Sequence, residues 1–350
     1  MPKTDKDTAS QGVARDLVTR DRITIVGTGC IGTSIGLALR QSKDADHLEI
    51  VGHDRDAGQA RQAQQMGAFT TTAINLSIAL RDAQLVILAV PLAELRETLQ
   101  DVGRLLDTDQ NIVITDTAPL KQPAFAWAEA ALPRNAHYVA GDPFLAPGAG
   151  GWEPLRGVAD ARPGLFHEAV YAIIARAEDH PSAVRTVANM ALVMGATPLF
   201  MDPAEHDAVR LIGTTVPALS AAALVRATVD APGWEEVRRA AGRAFATATA
   251  GAPGDLASAR MVALLGRDTV LRGLDALVGQ LEALRQMVAD GDADGLEAML
   301  ASAAEDRARW IQQSRSRSWQ AERQGIEQDS LFGRTLRTML GRGIAGRSDR

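Results

Sequence analysis

The chain has a single cysteine, two tyrosines and only 4% aromatic residues among its 350 positions. One thiol cannot form an internal disulfide, so packing must hold the fold together. No run of about 18 consecutive apolar residues occurs, and the first twenty positions are polar and mixed in charge, without the apolar stretch of a secretory signal. That pattern leads us to expect a cytoplasmic protein with a disordered leader. A net charge of −6 and a pI near 5.6 argue against nucleic acid as a bulk partner. His47, His53, His137, His167, His180 and His206 stand apart without metal-ligand spacing, so no metal is expected.

Glycine, by contrast, is plentiful, and four glycines fall in one informative place. Ile23 to Gly36 reads as a β-branched run, a glycine turn and a helix start. Gly27, Gly29 and Gly32 occupy the G-x-G-x-x-G positions, which provide a tight turn, close backbone approach to a pyrophosphate, and close packing of helix on strand. Phosphate oxygens would meet the amides of Cys30 and Ile31 at the positive end of the helix dipole. A second β-like run, Glu49 to His53, ends at Asp54, where a dinucleotide fold places a carboxylate for the ribose hydroxyls. Asp54 favours NAD, because a 2′-phosphate beside it would juxtapose two anions. Arg55 leaves NADP possible, since a guanidinium there could hold that phosphate.

Strand and helix patterns then alternate over about 120 residues, which predicts a doubly wound parallel sheet of the α/β class. Leu85 to Val90 is a continuous apolar run ended by Pro91, as expected of a strand covered on both faces. Ile112 to Thr115 is another buried strand, and Pro119 to Ala131 a helix. Val90, Pro91, Asp116 and Thr117, at the carboxyl ends of strands, should line a ligand cleft. Gly141 to Gly164 carries six glycines and four prolines and reads as a long irregular loop. A strand at Ala169 to Ile174, a helix at Ser182 to Met194 and a short strand at Pro198 to Met201 follow.

At Asp202-Pro203-Ala204-Glu205 an N-cap, a first-turn proline and a glutamate three residues on mark a helix start, after which the chain reads as all helix. Val270, Leu274, Leu277, Leu281, Leu284 and Val288 form a heptad seam, expected to be partly buried in a dimer. Beyond Trp310 the chain turns basic. Phe332, Leu336, Met339, Leu340 and Ile344 could share one face of a basic amphipathic helix that touches anionic lipid or an acidic partner, but the glycines among them favour a disordered tail. The expected organisation is a leader at 1–20, a Rossmann-type dinucleotide-binding domain at 21–180, a helical substrate and dimerisation domain at 181–313, and the tail at 314–350.

The order of these features resembles the prephenate/arogenate dehydrogenase family. The resemblance covers roughly Ile23 to Gln312. It rests on Gly27-Thr28-Gly29-Cys30-Ile31-Gly32, Gly52-His53-Asp54, Leu85 to Pro91, Thr115 to Lys121, Gly141-Asp142-Pro143, Ala204-Glu205-His206-Asp207 and Ile212 to Pro217. It implies a Rossmann domain, a helical dimer-forming domain, an NAD(P) cofactor, and oxidative decarboxylation of a cyclohexadienyl carboxylate in tyrosine biosynthesis.

The chain departs from that family's motifs where the chemistry is expected. Pro119 stands where a serine or threonine is usual. Asp142 replaces the catalytic histidine of Gly-His-Pro, Thr215 replaces the histidine of a Ser-His segment, and Ala250 falls where an arginine would bind substrate carboxylate. The candidate catalytic side chains are therefore Asp142, Lys121, His206 and Thr215, with Arg210 one turn beyond His206 on the same helix face. His206 also has a plainer reading as helix N-terminal structure beside Asp202, and Lys121 as a solvated lysine at a helix start. The changed motifs leave two functions open: a dehydrogenase with an altered pocket, or a catalytically silent paralogue that keeps the dinucleotide and serves a regulatory or partner role.

Overall fold

The computed structural model describes residues 22–41, 48–106, 111–149, 155 and 157–316. The leader, and the possible amphipathic helix at Phe332 to Ile344, lie outside them.

The sheet forms where the β-branched runs are. Strands β1 (Arg22–Val26), β2 (Glu49–His53), β3 (Thr71–Thr72), β4 (Leu85–Leu88), β5 (Ile112–Asp116) and β6 (Ala136–Tyr138) make a six-stranded sheet in the order β3-β2-β1-β4-β5-β6. Every pairing is parallel. Helices α1 (Cys30–Gln41), α2 (Ala57–Gln65), α3 (Leu76–Leu80), α4 (Leu92–Leu105) and α5 (Gln122–Ala131) supply the connections. The order reverses between β1 and β4, and an open α/β sheet binds its ligand outside that switch point. Helix α5 begins three residues later than its sequence suggests, because residues 117–121 first wrap the end of β5.

The glycine- and proline-rich stretch is partly ordered, contrary to the expectation of a loop throughout. Its first residues form strand β7 (Ala140–Phe144), antiparallel to β8 (Val170–Ile174), which pairs in parallel with β9 (Thr197–Met201). Pro143 is accommodated because β7 is an edge strand of this second sheet. Gly141 is required there, since a Cβ would lie 2.6 Å from the Tyr171 ring. Two short 3₁₀ turns, Val158–Asp160 and Pro163–Phe166, pack on α1.

Helix α6 (Pro181–Val193) shares one apolar cluster with β1, β2, α1 and β8. The second cluster lies on the other side of the sheet and runs from Leu88, Leu95 and Leu99 to Leu211, Val262 and Val270, joining the sheet to the helical half.

That half contains α7 (Pro203–Arg210), a π turn (Leu211–Thr215), α8 (Val216–Val229), α9 (Trp234–Ala240), α10 (Arg243–Thr249), α11 (Leu256–Leu265), α12 (Arg267–Asp290) and α13 (Ala293–Ser316). Asp202 caps α7 by accepting from the amides of Ala204 and Glu205 at 2.9 Å each. The continuous helix 203–229 is long and apolar enough to cross a bilayer by length and composition, though no unbroken apolar run of that length exists in the sequence. It packs against α10 and α12 as a partly buried core helix. The seam on α12 is buried at Val270 and opens toward its far end, where Leu281 is 54% and Val288 66% exposed.

Candidate active site

At the end of β1 the three glycines do three different jobs. Gly27 has φ +92°, and a Cβ on it would lie 2.4 Å from the Ala89 carbonyl oxygen. A Cβ on Gly32 would lie 1.9 Å from the Gly27 oxygen, so this position presses α1 onto the turn. Gly29 has nothing within 4 Å of where its Cβ would be, and it opens into a cleft of about 670 Å³. Backbone here can approach a pyrophosphate closely, and the first amides of α1 stand at the same spot.

Asp54 is fixed to this turn. Its Oδ2 accepts from the Thr28 amide at 2.6 Å and the Thr28 hydroxyl at 3.0 Å, and its Oδ1 accepts from the Asp56 amide at 2.8 Å. The carboxylate edges the cleft, as do Cys30, Ile31, Arg55, Val90, Pro91 and Thr117. Burial pushes the Cys30 thiol above its ordinary range, which keeps it in its unreactive protonated form. A dinucleotide fits these residues: an open glycine for the pyrophosphate and a positioned carboxylate for the ribose.

The candidate catalytic side chains occupy a buried network behind the cleft wall. Lys121 is fully buried, with Nζ 3.0 Å from both Asp116 oxygens and 2.6 Å from the Gly141 carbonyl oxygen. It is neither solvated nor turned to the cleft. Asp207 accepts from the amides of Lys121 (2.6 Å) and Gln122 (3.0 Å), capping α5 from α7. His206, also fully buried, puts Nδ1 3.0 Å from Asp207 Oδ1 and Nε2 3.2 Å from Asp142 Oδ2. Two amides already engage the Asp207 carboxylate, so Nδ1 carries a hydrogen toward it.

Arg210 Nε approaches that same Oδ2 at 3.1 Å as an ion pair rather than an aligned hydrogen bond. Phe144 stacks on the His206 ring with centroids 5.5 Å apart, and the Arg210 guanidinium lies 5.5 Å from the Phe144 ring centre. Asp142 Oδ1 is buried without a hydrogen-bond partner. Lys121, Asp142 and His206 are thus brought together. Thr215 lies at the end of the π turn and has no side-chain hydrogen bond to this cluster among the described residues.

Several cleft-lining residues escape the motifs. Glu94 and Asp101 line it from α4, and Asp255 and Ser258 from α11, whose Ser258 hydroxyl accepts from the Ala93 amide at 3.4 Å. The acidic spacing Glu94, Glu97, Asp101 marks one helix face and could have pointed to the first two. Nothing local in the sequence links α11 to α4.

Residues 35–198 match the family model described as "Prephenate dehydrogenase, nucleotide-binding domain". The prephenate dehydrogenase of Bacillus subtilis (strain 168) is 28% identical over 278 residues, covering 79% of this chain and 72% of that protein. The chain is similar to the prephenate/arogenate dehydrogenase family. Two solved structures of that family share its fold. The prephenate dehydrogenase from A. aeolicus in complex with hydroxyphenyl propionate and NAD+ superposes with a TM-score of 0.72 at 20% identity, over 84% of this chain and 99% of that one. For the Synechocystis arogenate dehydrogenase the TM-score is 0.64 at 20% identity, over 83% and 99%. The matched residues begin just past the glycine turn and take in Asp142.

Proposed function

We propose that the protein is an NAD-dependent dehydrogenase that oxidatively decarboxylates a cyclohexadienyl carboxylate, prephenate or arogenate, and that it works as a cytoplasmic homodimer. The observation that carries this is the pairing of an open Gly29 with an Asp54 pinned to the same turn, a site shaped for a dinucleotide in a chain similar to this family.

Bound NAD would supply a hydride acceptor for the ring carbon that bears the hydroxyl. Gly27, Gly29, Cys30 and Ile31 would hold its pyrophosphate and Asp54 its ribose, with Val90, Pro91 and Thr117 lining the same cleft. As hydride leaves and CO₂ departs from the opposite ring carbon, the hydroxyl proton needs an acceptor until the aromatic product takes it back. Asp142 Oδ1 is the acceptor without another partner. His206 and Arg210 hold the other oxygen of Asp142, and Asp207 sets the tautomer of His206. Lys121 positions the group by fixing Asp116 and Gly141. The exposed far end of the α12 seam supports the homodimer.

A second reading, a dinucleotide-binding paralogue without turnover, is favoured by one observation: Asp142 is only 1% exposed and Lys121 and His206 are fully buried. Among the described residues, Arg55 is the cation that lines the cleft. NADH formation with prephenate and with arogenate, beside calorimetric titration with NAD alone, separates the two. Turnover supports the dehydrogenase; NAD binding without turnover on either substrate leaves the paralogue.

A further inference from the structure

Arg55 leaves β2 on the adenosine side of the cleft, where a free guanidinium could bind a 2′-phosphate. It is not free. Its Nη2 lies 2.9 Å from Glu97 Oε2 and its Nη1 3.5 Å from Glu94 Oε2, both on α4 across the cleft. Asp101 continues the same face of α4 and lines the same space. These carboxylates, Glu97 foremost, hold the Arg55 guanidinium charged and engaged.

We infer that Glu94 and Glu97 are cofactor-specificity residues: they hold Arg55 across the adenosine end of the cleft and so deny a 2′-phosphate its cation. This rests on the dinucleotide reading above. Three observations point the same way. Asp54 edges the cleft with its carboxylate pinned to the glycine turn, Arg55 is engaged by two carboxylates, and Asp101 adds a third carboxylate to the wall. NAD brings no charge to that spot. NADP brings a phosphate that must either displace the glutamates from Arg55 or face them.

The pair is exposed, 56% at Arg55 and 66% at Glu97, so it adds little to stability and its removal leaves the fold intact. What it controls is where the guanidinium goes. A guanidinium released from both glutamates gains a phosphate partner with bidentate geometry.

The test is nucleotide binding rather than turnover. Glu94→Gln/Glu97→Gln and the triple variant that adds Arg55→Ala are titrated with NAD and NADP by calorimetry beside the wild-type chain. The double variant should gain about tenfold or more in NADP affinity, the scale of one charge-assisted hydrogen bond, with NAD affinity within about threefold of wild type. Adding Arg55→Ala should abolish that gain. An unchanged NADP/NAD ratio in the double variant overturns the inference while leaving the dinucleotide site standing. A gain that survives Arg55→Ala also overturns it, because discrimination would then come from the acidic field alone. Failure of the wild-type chain to bind either nucleotide overturns the dinucleotide reading and this inference together.

Discussion

The three glycines of the turn can be told apart by one methyl group. At Gly29 an added Cβ meets open space, so Gly29→Ala should leave the melting temperature nearly unchanged and weaken NAD binding by intruding on the pyrophosphate. At Gly32 the Cβ collides with the Gly27 carbonyl, so Gly32→Ala should cost stability, measured as an early thermal or urea transition. Asp54→Ala acts twice. It removes the ribose carboxylate and releases the Thr28 amide, so NAD affinity should fall and discrimination against NADP relax. Equal, unchanged affinities for both nucleotides would remove Asp54 from the site. The turn and the carboxylate pinned to it are legible in the sequence alone, because they follow each other within about thirty residues of chain. The state of Lys121 is not. Its neighbours Asp116, Gly141 and Asp207 come from β5, β7 and α7, and only the fold brings them together.

Among the elements, β7 illustrates how a local reading fails. Gly-Asp-Pro is a turn signal wherever local preference decides, and here a neighbouring strand decides instead. The Tyr171 ring lies where a side chain on Gly141 would go, and an edge position excuses the proline opposite Tyr171. The two-residue β3 and five-residue α3 are too short for any periodicity to show. Helix α5 depends on its neighbours in the same way, since its first amides are capped by Asp207 from α7 rather than by its own residue. Beneath it lies the Lys121–Asp116 pair, buried on both sides. Lys121→Met would strand the Asp116 carboxylate, and breaking such a pair costs about 3–5 kcal/mol. Chemical denaturation should show a loss of that size; a change under about 1 kcal/mol would mean that Asp116 is satisfied by other means.

For the whole molecule, the alternation of strand and helix gave the α/β class, and the capping signal at Asp202 located the change to helices. The seam on α12 reads as a heptad in sequence but is only half covered in a single chain. Leu281→Glu should therefore be nearly neutral for the folded protomer and shift sedimentation to the monomer; a dimer that persists would place the interface elsewhere. The division of labour between the halves was harder to read, since Ser258 meets Ala93 at the cleft from 165 residues further along the chain.

The polar contacts between the two halves are unequal. On one side the Asp207 carboxylate takes two short amide hydrogen bonds from the start of α5, in a buried setting. On the other, α11 meets α4 through apolar packing around Val262 and a 3.4 Å hydrogen bond between Ser258 and Ala93 at the rim of the cleft. The polar fastening is thus strong at the α7 edge and weak at the α11 edge, where apolar packing takes over. Amide hydrogen exchange should follow that asymmetry, slow at Lys121 and Gln122 and faster at Ala93.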